Sequence, residues 1–199
     1  MRHRFHSPGA VRAHALPLAC RRPDDRGRQG DGIGGRMGRA GPADWIAEQG
    51  GLRFECTQCG NCCSGPPGSV VFTEAEAQAI AEALGLSCDA FLMRFTRHES
   101  RVGGGRSLKE VETEHGWDCV FLDRRSVPGK AVCSIYHVRP TQCRTFPWWP
   151  GNIESRRHWD RLGRTCEGVN RGRLVPPEEI MVALTIHERD VPPAVPVVR

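Results

Sequence analysis

A chain of 199 residues with 39% hydrophobic residues, 23 Gly and 15 Pro has room for one domain and a tail, with little apolar material for a deep core. No apolar run is long enough to span a bilayer as a helix. The net charge of +5 is localised: residues 1–36 carry eight Arg and three Asp, so the remainder is formally neutral, which argues against a nucleic-acid partner for the body of the chain.

Residues 1–36 are rich in Arg and Gly, lack apolar periodicity and read as a disordered basic arm. Met37 is the expected initiator. A basic arm that touches nucleic acid is the sharper reading of the same stretch. Arg12 and His14 interrupt the apolar segment Ala10–Ala19, so it makes a poor secretory signal. A cytoplasmic protein with reduced thiols is expected. The body should run over 37–190, with a frayed tail over 191–199.

From Ala43 to Phe54 an amphipathic segment leads into a dense cysteine cluster. Thr73-Glu74-Ala75-Glu76 is a capping box and predicts a helix to about Leu84, stopped at Gly85. Ser87 should cap a second helix through Phe91, Leu92 and Phe95. Residues 99–106 read as a polar, Gly-rich loop, with a strand in Ser107–Glu114. Trp117–Asp123 and Lys130–Tyr136 read as paired strands with Cys119 opposite Cys133, Phe121 opposite Ala131 and Leu122 opposite Lys130. Pro140 opens a turn or short helix around Cys143. Phe146-Pro147-Trp148-Trp149-Pro150 excludes regular structure. Ile153–Leu162 predicts a helix with Trp159 inward, and Pro176-Pro177-Glu178-Glu179 starts a last helix through Ile180, Leu184 and His187. The sum is a small single α+β domain: short helices, a β-hairpin and long loops held by a cysteine-ligated metal centre.

The chemistry lies in Cys56-x2-Cys59-x2-Cys62-Cys63, four cysteines within eight residues, followed by Cys119, Cys133, Cys143 and Cys166. Thiols crowded this way cannot all reach separate disulfide partners without strain. Metal ions and iron–sulfur clusters want the crowding, because several thiolates must converge on one centre. Eight thiolates suit two four-thiolate zinc sites, one iron–sulfur cluster with spare ligands, or a mixed pair. Neighbouring Cys62 and Cys63 should point apart, as ligands of two centres or as one ligand and one bridge. Cys20 and Cys88 fall outside the pattern and read as free thiols.

These residues, with Cys119-Val120-Phe121-Leu122, Cys133-Ser134-Ile135-Tyr136, Arg139-Pro140-Thr141-Gln142-Cys143-Arg144-Thr145-Phe146-Pro147 and Cys166-Glu167-Gly168, resemble the YkgJ-type cysteine-cluster family of bacterial CxxCxxCC proteins that chelate zinc or iron. The likeness covers about Phe54–Gly172. It implies metal binding in a small α+β domain. Flagellin lysine N-methylases carry a similar domain with an iron–sulfur centre, but this chain shows no methyl-donor motif.

Around the eight cysteines, Arg139 and Arg144 flank Cys143 and should offset the charge of a thiolate site, formally about −2 for zinc with four thiolates. His115, His137 and His158 read as packing or surface histidines. Phe146, Trp148 and Trp149 should shield the site from water. Three functions fit: a Zn2+- or Fe-binding protein, an iron–sulfur redox protein or protein-modifying transferase, and a zinc-stabilised scaffold whose Trp148–Trp149 surface meets a protein partner.

Overall fold

The computed structural model describes residues 41–100 and 105–192. The basic arm, Cys20 and the end of the tail lie outside these residues. Helix α1 (Pro42–Glu48) starts at a proline, and the Asp44 carboxylate accepts the Gly41 N–H at 2.9 Å. Gly51, at φ +113°, then reverses the chain into strand β1 (Leu52–Phe54); a Cβ there would lie 2.2 Å from the Val175 carbonyl oxygen. The cysteine loop follows, with one 3₁₀ turn at Asn61–Cys63.

Helices α2 (Glu74–Ala83) and α3 (Cys88–Phe95) form as their caps predict. Thr73 Oγ1 accepts the Glu76 N–H at 3.2 Å, Glu76 returns the bond to the Thr73 N–H at 2.8 Å, and Ser87 Oγ accepts the Ala90 N–H. Part of the expected polar loop is instead a hairpin. Strand β2 (Thr96–Glu99) pairs antiparallel with β3 (Gly105–Leu108), Thr96 opposite Leu108. Its polar residues are satisfied locally: the Arg106 guanidinium donates to Thr96 Oγ1 at 2.6 Å and to the Leu92 carbonyl at 2.9 Å.

The expected register of Cys119 against Cys133 does not occur. Strand β4 (Glu110–Thr113) pairs with β5 (Gly116–Cys119), which puts Cys119 opposite Glu110. Strand β6 (Leu122–Asp123) pairs with β7 (Val132–Cys133), which puts Cys133 opposite Leu122. The chain turns at Val120–Phe121, where the Val120 N–H donates to the Lys109 carbonyl and the Phe121 carbonyl accepts from Ser134 N–H. That turn buries Phe121 against Phe95, ring centroids 5.1 Å apart. One long hairpin was the simpler pattern; burying the aromatic ring wins.

After the 3₁₀ turn Tyr136–Val138, helix α4 (Thr141–Arg144) opens behind Pro140. The expected helix around Trp159 begins earlier and breaks once, as α5 (Pro150–Ile153) and α6 (Arg156–Leu162). Strand β8 (Val169–Val175) has no sequence signature, because only its two end residues are buried. It pairs antiparallel with β1, with a bulge between Arg53 and Phe54. Helix α7 (Pro177–Asp190) closes the described chain.

The described fold is thus mixed, with short helices and four two-stranded antiparallel sheets. Its apolar residues sort into two cores. The first joins the two ends of the described residues: Ile46 and Leu52 meet Trp148, Ile153, Trp159, Val175 and Ile180. The second is built from the middle: Ala77, Ile80, Phe91, Leu108, Phe121 and Ile135. Two-stranded sheets are marginal alone, so each leans on these cores. The eight motif cysteines line a cavity whose walls come from residues of both cores. Among the described residues no helix is long and apolar enough to cross a membrane.

Candidate metal centre

The CxxCxxCC loop is held by its backbone. Glu55 N–H donates to the Gly168 carbonyl, and Gly168 must lack a side chain because a Cβ would lie 2.1 Å from the Glu55 oxygen. The Gln58 carbonyl accepts Ala131 N–H at 2.8 Å. Gly60 sits at φ +82°, and a Cβ there would stand 2.6 Å from the Ala131 methyl. Cys63 N–H donates to the Gly60 carbonyl and closes the 3₁₀ turn. Asn61 Nδ2 reaches the Thr165 carbonyl at 2.8 Å. The loop is therefore tied to the segment carrying Cys166 and to the segment before Cys133.

Inside that turn the Cys62 and Cys63 sulfurs approach to 3.6 Å. The expectation that neighbours must point apart fails here, because the tight turn after Gly60 is neither extended nor α-helical. Four thiolates at about 2.3 Å from a tetrahedral zinc stand about 3.8 Å from each other, so this pair has the spacing of two ligands to one ion.

All eight cysteines of the motif line one cavity of about 90 Å³. One water needs roughly 10–15 Å³ on such a measure, so the space exceeds a single-atom site. Cys56, Cys59, Cys62 and Cys63 come from the loop, Cys119 from the end of β5, Cys133 from β7, Cys143 from α4 and Cys166 from the segment after α6. Phe54 closes it from the first core, with Phe146 edge-on to Phe54 and Trp149 edge-on to Phe146; Val70, Leu108, Phe121 and Ile135 close it from the second. Among the described residues, no three His, Cys, Asp or Glu side chains are arranged to hold an ion as they stand. The donor set still fits zinc or iron: eight thiols dominate it, with no carboxylate or imidazole in the lining, and soft donors of this kind suit those metals rather than magnesium or calcium.

Electrostatics bear on the same fit. Burial, and then the neighbouring thiols, push the Cys143 thiol well up; burial pushes Cys119 up to about 11 and raises Cys133 and Cys166. The hydrogen bond between the Cys62 and Cys63 sulfurs holds Cys62 down at about 7 and drives Cys63 upward. Cys56 and Cys62 are exposed and the other six are half-buried; eight thiols so close together cannot all ionise without a cation, and a bound metal inverts that balance. Arg139 is one cation facing them: it lines the cavity, its guanidinium lies 3.7 Å over the Tyr136 ring, and its charge favours ionised Cys62, Cys133 and Cys143.

Arg144 is not brought to the cavity. Its Nη1 donates to the Arg139 carbonyl, its Nη2 to Thr141 Oγ1, and it lies 3.6 Å from the Glu76 carboxylate. Among the three histidines, His115 sits beside Glu114, His137 against Tyr136, and His158 bonds Ser155; none lines the cavity. The two neighbouring tryptophans part company. Trp149 lines the cavity and donates to the Gln142 carbonyl at 2.8 Å, whereas Trp148 is buried and stacked on Trp159 at 5.5 Å, so they form no shared docking surface. Cys88 does not carry the free thiol expected of it: it is buried in the middle core and disulfide-bonded. A cation the sequence did not single out is Arg124, paired with Asp118 behind the loop. No motif marks it, because its partner comes from the neighbouring hairpin.

Uncharacterized protein MJ0661 of Methanocaldococcus jannaschii is 35% identical over 98 residues, which are 49% of this chain and 46% of that protein. The chain thus matches less than half the length of that relative. No solved structure matches. Residues 55–167, the stretch holding all eight lining cysteines, match the CxxCxxCC family model, described as a "Putative zinc- or iron-chelating domain", and the chain belongs to that family.

Proposed function

We propose that this protein binds zinc or iron through Cys56, Cys59, Cys62, Cys63, Cys119, Cys133, Cys143 and Cys166. One observation carries the reading: eight cysteines spread from position 56 to position 166 line one cavity that has no carboxylate or imidazole in its wall. Arg139 offsets the charge of the loaded thiolates, and Phe146 and Trp149 keep water from them. The eight thiols are free of disulfides and so available to the metal.

Elemental analysis with an absorption spectrum, on protein purified without oxygen, tests this. Stoichiometric zinc in a colourless sample gives a closed thiolate site. A brown sample with iron and sulfide gives a cluster, the reading favoured by a cavity larger than one ion, and opens a role in redox chemistry or protein modification. Neither metal above trace level overturns the proposal.

A further inference from the structure

Arg124 stands behind the CxxCxxCC loop in a bond pattern that uses only part of its guanidinium. Its Nε donates to Asp118 Oδ2 at 2.7 Å and its Nη2 to Asp118 Oδ1 at 2.9 Å, a two-pronged pair. The Asp118 side chain is 7% exposed and that of Arg124 25%, so water screens the pair poorly. Its Nη1 has no hydrogen-bond acceptor among the described residues. This nitrogen lies 3.5 Å from the position a Cβ on Gly60 would take. Gly60 directly follows Cys59 and is two positions before Cys62, and its missing side chain lets the cation sit against bare backbone. The Asp118 carboxylate fixes the far edge of the guanidinium, which leaves the near edge presented to the loop. Asp118 holds Arg124 protonated, so the nitrogen beside Gly60 carries positive charge.

We propose that Arg124, oriented by Asp118, is a positioning residue of the metal centre: it holds positive charge against the back of the CxxCxxCC loop at Gly60 and so stabilises that loop in its metal-loaded form. The inference rests on the metal-binding reading above. An ion pair kept only for stability would act equally with and without metal. A cation that offsets thiolate charge acts on the loaded form.

The test uses the full chain, with zinc as the probe. Zinc affinity is measured by competition with a chromophoric chelator, and melting is followed for loaded and stripped protein. Arg124→Gln should weaken zinc binding by about 10–100-fold, the usual effect of losing a partner behind the ligands, and should lower the melting temperature of the loaded form more than that of the stripped form. Arg124→Lys, which keeps the charge without the two-pronged pair, should recover part of the affinity. Asp118→Asn, which keeps the guanidinium but loosens it, should weaken binding as well. Wild-type affinity in Arg124→Gln, equal losses in loaded and stripped forms, or a Lys variant no better than Gln overturns the proposal. Should Arg124→Gln not fold, wild-type affinity in Asp118→Asn overturns it instead. Failure of the wild-type chain to bind zinc or iron overturns the underlying reading and is seen before any variant is compared.

Discussion

Two regions of this molecule are organised in opposite ways. The α2–α3 hairpin is local: Thr73, Glu76 and Ser87 cap their own helices, and the apolar faces meet within the middle core. The cysteine cavity is non-local: its eight thiols come from five separate stretches and depend on glycine contacts such as Gly60 against Ala131 and Gly168 against Glu55. A region built on local bonds forms with the chain. A region built on convergence needs something at the point of convergence, and there the described residues place thiols rather than a packed core.

Removing the metal should separate the two most widely. Structural zinc contributes on the order of 10 kcal/mol to folding in small domains. A strong chelator should therefore abolish hydrogen-exchange protection across Glu55–Ser64 and blunt the cooperative melt, while α2 and α3 keep most of theirs. An unchanged melting temperature and sharpness after stripping would break the comparison.

Ligand replacement comes next. Cys59→Ser and Cys133→Ser should each lose metal, since a hydroxyl is a harder, poorer donor to these ions. Cys88→Ser should retain full metal content, its cost falling on stability alone, because it sits in the middle core at 4% exposure. Metal stoichiometry on the three variants decides; equal content in all three would reject the ligand assignment.

Gly60→Ala should cost about 2–4 kcal/mol, read from denaturant melts, because it combines positive φ with a contact of 2.6 Å to the Ala131 methyl. Thr73→Ala should cost only about 1 kcal/mol, the ordinary value of a helix cap, and leave metal content unchanged. That contrast sharpens the comparison: one small residue governs the convergent region more than one good cap governs the local one.

The smallest effect is set by pH. Burial lowers the pKa of His187, outweighing the nearby Glu188, and its ring bonds Thr145 Oγ1 at 2.9 Å. The folded state then binds fewer protons than the unfolded chain. Its contribution is present above the unfolded value of about 6.5 and is lost below it, as pH falls through the lower folded value. His187→Gln should flatten the stability profile just below pH 6.5; an identical profile would show that the ring is not the titrating group.

The amino-acid sequence by itself determined what could be written in neighbouring residues: the capping box at Thr73, the cap at Ser87, the inward Trp159, the start of α7 and the eight cysteines as one set. Each follows from short-range hydrogen bonding, helical periodicity or donor chemistry. The tertiary structure alone decided which partners meet. Strand β8 pairs with β1 although its middle is polar and exposed, because only Val169 and Val175 need to reach the core. Cys119 and Cys133 reach the cavity from separate hairpins because burial of Phe121 outweighs a longer ladder. Arg144 turns to Glu76 while Arg124 comes to the loop, since each guanidinium goes to the carboxylate that packing leaves in reach. Which long-range contacts form depends on burying area and satisfying charge over the whole chain, and no window of neighbouring residues contains that balance.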